Sequence, residues 1–126
     1  MMGRNKPNNK SNSLLNEIFN TAADGMCLID KEFNIFAINA TLAMMLGLDK
    51  EKIIGKKCHE VLAGSACQTE RCCLINILNG EKQIEFETEK LHSDGVNIPC
   101  LVAAKPFFGA NGELAGIVED IKDISC

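Results

Sequence analysis

The sequence predicts an α+β domain in which a five-stranded antiparallel sheet carries helices on one face and follows an amphipathic N-terminal helix. Three observations lead there. Residues 83–91 alternate, with Ile84, Phe86 and Thr88 on one side and Glu85, Glu87 and Glu89 on the other, as in a strand with one solvated face. Asp94-Gly95 and Asn111-Gly112 read as hairpin turns, which force the last three strands antiparallel. Leu14, Leu15, Ile18, Phe19 and Ala22 recur at helical spacing.

Taken in order, residues 1–12 are rich in Asn, Lys and Ser without periodicity and read as a disordered leader, so the domain is expected to span 13–126. Ser11 and Ser13 offer caps for the first helix. Residues 25–30 and 34–38 are short β-prone runs joined by a polar turn. Asn39 caps a helix through Leu42, Met45 and Leu46, and Gly47 ends it. Residues 49–54 allow a helical turn, and the stretch from 58 to 72 reads as loop and short helices. Leu74, Ile75, Ile77 and Leu78 supply the apolar face of a further helix that stops at Gly80. The strand at 83–91 is then followed by two more, at 97–106 and 113–124, and a single sheet with its helices on one face accommodates all five.

At 126 residues the chain suits one domain, and 46% hydrophobic residues with a mean hydropathy of +0.02 suffice for a sizeable core. No apolar run approaches the roughly 20 residues of a membrane span, and no apolar secretory stretch opens the chain, so a cytoplasmic domain without a membrane partner is expected. The formal charge is −4, and setting aside Arg4, Lys6 and Lys10 in the leader leaves 10 basic against 17 acidic residues. Such a body repels phosphate, which argues against direct nucleic-acid binding.

Cysteine is the biased residue: 7 are present, at 27, 58, 67, 72, 73, 100 and 126. An odd count without an export signal points to reduced thiols, or to metal or redox chemistry, rather than a disulfide scaffold. Cys58, Cys67, Cys72 and Cys73 together offer the thiolate ligands that an iron–sulfur cluster or zinc requires. Cys72 and Cys73 also begin a helix, where thiol pKa values are depressed, and Lys56, Lys57 and Arg71 add positive potential. Against this, no Cys-x-x-Cys is present, and consecutive helical residues point about 100° apart. Buried small hydrophobes, or pairs able to form a disulfide, are the alternative reading. No nucleophile elbow, phosphate loop or metalloprotease pattern appears, and the adjacent pair Cys58-His59 is poorly placed for nucleophilic catalysis, so the domain is not expected to be an enzyme.

Ala23-Asp24-Gly25, Ile38-Asn39, Met45-Leu46-Gly47, Ile54-Gly55-Lys56-Lys57, the run from Asp94 to Pro99 and the run from Gly116 to Ile121 follow one another over residues 14–125. In that order they resemble a PAS domain, the sensory module of bacterial and archaeal signalling proteins. Cys58-His59-Glu60 followed by a Cys pair is similar to PAS domains of regulatory proteins. The resemblance implies the PAS fold and a cavity between sheet and helices for a small-molecule ligand. Its walls are expected from Met26, Leu28, Phe36, Met45, Leu46, Ile77, Ile84, Phe86 and Leu101, which the patterns place inward. It also implies a homodimer through the N-terminal helix, consistent with the stripe of Leu14, Leu15, Ile18 and Phe19, unless that stripe packs back on its own sheet. The expected role is the input module of a larger histidine kinase, transcriptional activator or cyclic-dinucleotide enzyme, acting on an effector domain of the same chain. The stretch 55–60 lacks the Asn, Arg and Gln that grip flavin in light-oxygen-voltage sensors, which argues against flavin. The helix over 72–80 has no axial His and leaves only His59 and His92, which argues against haem. The alternative function is a redox or metal sensor through Cys58, Cys67, Cys72 and Cys73.

Overall fold

The computed structural model describes residues 5–62 and 72–125. In chain order these form α1 (Asn5–Thr21), β1 (Gly25–Asp30), β2 (Ile35–Ile38), α2 (Ala40–Leu46), a 3-10 turn (Lys50–Lys52), α3 (Cys58–Val61), α4 (Cys73–Leu78), β3 (Ile84–Leu91), β4 (Asn97–Phe108) and β5 (Leu114–Asp123). The strands make one sheet in the order β2-β1-β5-β4-β3, antiparallel at every pairing. The hairpins are those the turn residues demand. The long-range step is the pairing of β5 with β1, which sets the last strand at the centre of the sheet. No helix among the described residues is long and apolar enough to cross a membrane.

Cross-strand partners share a face, so the register identifies the buried side. Cys27 lies opposite Ile38 and Glu119, Ile29 opposite Ile35 and Ile117, and Val102 opposite Ile121 and Phe86. Leu42, Leu46, Ile53, Leu62, Leu74 and Ile77 from the helical layer close one core over these residues.

Four of the nine expected cavity residues lie on the other face of the sheet. Met26 and Leu28 alternate with the buried Cys27 and Ile29, and Leu101 alternates with the buried Cys100 and Val102. Phe36 sits at a bulge in the β1–β2 pairing, 43% exposed, with its ring 5.7 Å from that of Phe107. The physical reason is phase: β1 and β4 are apolar at both parities, and a period of two does not say which parity faces the core. Leu46 and Ile77 are buried in the core, and Met45, Ile84 and Phe86 pack against it.

The α1 helix runs from Asn5 to Thr21. Pro7 falls in its first turn, where a missing N–H leaves no bond unmade. Its stripe does not pack back on the sheet: Leu14 is 61% exposed, Leu15 63% and Ile18 57%. Among the α1 residues whose burial is described, Phe19 and Asn20 are partly buried, and Asn20 Oδ1 accepts from the Ala40 amide at 2.8 Å. The buried Asn39 organises this junction. Its Oδ1 accepts from the Leu42 amide, capping α2 as expected, and from the Met26 amide, each at 2.9 Å. Its Nδ2 donates to the carbonyls of Phe19 (2.8 Å) and Asp24 (3.1 Å). Gly47 ends α2 in the left-handed conformation at φ 70°, with no room for a Cβ beside His92.

Candidate functional site

The inner face of β1, β3 and β5 and the short helices α3 and α4 border a chamber lined by Ile29, Cys58, Leu62, Cys72, Cys73, Leu74, Phe86, Lys90, Ile117 and Glu119. About 30 Å³ of it admits a water-sized group, within about 400 Å³ of unfilled volume that opens to solvent. Of the nine residues expected from the sequence, Phe86 alone lines it.

Two charged residues are set in this apolar wall by strand alternation. Along β5, Ile117, Glu119 and Ile121 share the buried parity, so the carboxylate is carried inward and only 7% of the residue stays exposed. Along β3, Ile84, Phe86 and Thr88 are followed on the same parity by Lys90, 6% exposed. Lys90 Nζ donates to the Leu62 carbonyl at 2.8 Å. Among the described residues no direct ion pair joins it to Glu119, although its charge still favours the carboxylate. Glu119 accepts from the Cys73 thiol, while its Oε1 is buried without a hydrogen-bond partner. Desolvation pushes the Glu119 pKa up, opposed by Lys90 and by the thiol. An unmade bond to a buried acceptor costs on the order of 1–3 kcal/mol. Both residues were legible in principle as charged members of an otherwise apolar strand parity.

The structure brings Cys58, Cys72 and Cys73 to the chamber wall, and Cys67 lies outside the described residues. Among the described residues no group of three or more His, Cys, Asp or Glu side chains is placed to hold a metal ion. For Cys73 the expected depression of the thiol pKa is reversed. Burial pushes Cys73 far up, and the neighbouring Glu119 carboxylate adds to the shift. Cys27, directly opposite Glu119 in the sheet, is raised by the same two causes in the same order. A helix of 6 residues exerts a weaker pull on a thiolate than desolvation exerts against it. His59, next to Cys58, has a buried Nδ1 without a hydrogen-bond partner, and its ring stands edge-on to Phe33 at 6.3 Å.

On the opposite face of β5, Asp120 shares a hydrogen bond with Asp24 from the turn before β1. Desolvation first, then the bond and charge of Asp24, raise the Asp120 pKa to about 6, with Lys122 opposing.

The family profile described as PAS domain matches residues 23–125. No curated protein matches the chain. The fold superposes on the PAS domain of an HTR-like protein from Haloarcula marismortui with a TM-score of 0.82 at 21% identity, over 98% of this chain and 100% of that one. A PAS domain of a protein from Colwellia psychrerythraea gives 0.78 at 19% identity, over 90% of this chain and 97% of that one. A PAS domain from a two-component sensor histidine kinase gives 0.77 at 8% identity, over 92% and 98%. Identities this low speak to the fold alone, but the profile covers most of the chain, and with the five-stranded antiparallel sheet it assigns this chain to the PAS domain family.

Proposed function

We propose that this domain is a sensory input module that reads the occupancy of the chamber under α3 and α4 and passes it to a homodimer interface on α1, and so to an effector domain of the same chain. The observation that carries this reading is the buried, incompletely paired Glu119 carboxylate in the wall of the chamber, on the central strand β5. A route outward runs through β1. Cys27 pairs with Glu119, the adjacent Met26 amide is held by Asn39, and Asn39 also holds Phe19 of α1. The exposed Leu14, Leu15 and Ile18 supply the apolar stripe of a helix–helix contact. The likeness to a PAS domain from a two-component sensor histidine kinase supports a signalling protein of that kind as the host.

The test is to screen metabolites by thermal shift while following the monomer–dimer equilibrium by sedimentation. A compound that raises the melting temperature and displaces that equilibrium, with both effects lost in Glu119→Leu, is the expected result. A chain that stays monomeric at millimolar concentration, or one that no compound stabilises, overturns the reading.

A further inference from the structure

The polar groups of the chamber restrict what it can hold. Glu119 Oε1 is a buried acceptor without a donor, so an occupant gains most by bringing an O–H or N–H to it. Lys90 and Glu119 carry opposite formal charges on the same wall, so neither a cation nor an anion meets an uncompensated counter-charge there. The rest of the wall is Ile29, Leu62, Leu74, Phe86 and Ile117 together with Cys58, Cys72 and Cys73. The 30 Å³ open to a water-sized group has room for a small polar head, and the rest of the molecule can follow the volume that opens to solvent.

We propose that the chamber binds a small uncharged molecule with a primary-amide or hydroxyl head that donates to Glu119 Oε1, its short apolar part lying against Ile29, Leu62 and Ile117. This rests on the sensor reading above and names the ligand class for it. Lys90 stays on the Leu62 carbonyl and leaves the carboxylate to the ligand.

The experiment is an NMR titration of the 126-residue chain with selectively labelled Ile and Leu methyls. Acetamide and 1-propanol are the probes. N,N-dimethylacetamide, which accepts but cannot donate, is the control, and acetate and ethylammonium are the charged counterparts. Acetamide is expected to shift the methyls of Ile29, Leu62 and Ile117 saturably at millimolar concentration, with dimethylacetamide and both ions at least tenfold weaker. Glu119→Leu, checked for folding by circular dichroism, is expected to lose at least tenfold in acetamide affinity. The donor-less amide keeps the test decisive on the unmodified chain should that variant fail to fold. Equal binding of dimethylacetamide, tighter binding of either ion, or no saturable shift at these methyls overturns the proposal. A metabolite that moves the same methyls while the amide and alcohol do not would overturn the ligand class and leave the sensor reading standing.

Discussion

The Asn39 side-chain amide donates to the Phe19 carbonyl at 2.8 Å, and by that bond the last turn of α1 is tied to the first turn of α2. Asn39→Asp keeps the two acceptor contacts, to the Met26 and Leu42 amides, and sets a carboxylate oxygen against the carbonyls of Phe19 and Asp24. Faster hydrogen exchange over residues 13–21, with α2 still protected, is expected at a stability loss of about 1–3 kcal/mol. Asn39→Ala removes the cap as well and should cost about 1 kcal/mol more. Equal loss of protection in α1 and α2 for the aspartate variant would show that the amide is not a separate tie.

Gly116 pairs with Asp30 where β5 crosses β1, and a Cβ there would lie 2.0 Å from the Ile29 carbonyl oxygen. Because the obstacle is backbone, it cannot rotate aside. Gly116→Ala is therefore expected to cost more than about 4 kcal/mol in urea unfolding, or to abolish folding. Gly112→Ala provides the contrast: φ is 82° but nothing lies within 4 Å of the added carbon, so the left-handed backbone alone should cost about 1–2 kcal/mol. Similar losses for the two would remove the steric argument.

Asp120 holds its proton in the folded chain up to a pH of about 6, whereas the unfolded chain releases it near 3.8. A raised carboxyl pKa contributes stability at low pH, and that contribution is lost as pH rises from about 4 to about 6. Asp120→Asn should flatten the stability profile across this window and make the domain more stable than the parent at pH 7, by about 1 kcal/mol once solvent screening of this partly exposed group is allowed for. Urea midpoints at pH 4, 5, 6 and 7 measure it, and a parent profile that rises through the window would contradict the assignment.

Leu15 and Ile18 are mostly exposed, at 63% and 57%. The double variant Leu15→Glu with Ile18→Glu should sediment as a monomer, with stability changed by no more than about 0.5 kcal/mol per site. Phe19→Glu, by contrast, strikes a partly buried ring at the α1–α2 junction and should lower the melting temperature. An unaltered association constant in the double variant would move the interface away from α1.

What the sequence determined by itself was local. The alternation of Ile84, Phe86 and Thr88 against three glutamates marks β3, Asn39 and Gly47 mark the ends of α2, and Asp94-Gly95 and Asn111-Gly112 mark the hairpins, because each depends on groups a few residues apart. The phase of β1 and β4 was decided only in three dimensions. Met26 and Leu28 are as apolar as Cys27 and Ile29, and it is the pairing with β5, nearly 90 residues later in the chain, that turns Cys27 and Ile29 inward. The chamber is tertiary for the same reason, since Glu119, Lys90 and Cys73 come from three separated elements. The thiol chemistry shows the reversal most directly. A position at a helix start lowers a thiol pKa, yet burial beside Glu119 raises that of Cys73, because desolvation depends on everything packed around the group and the helix terminus on one turn of chain.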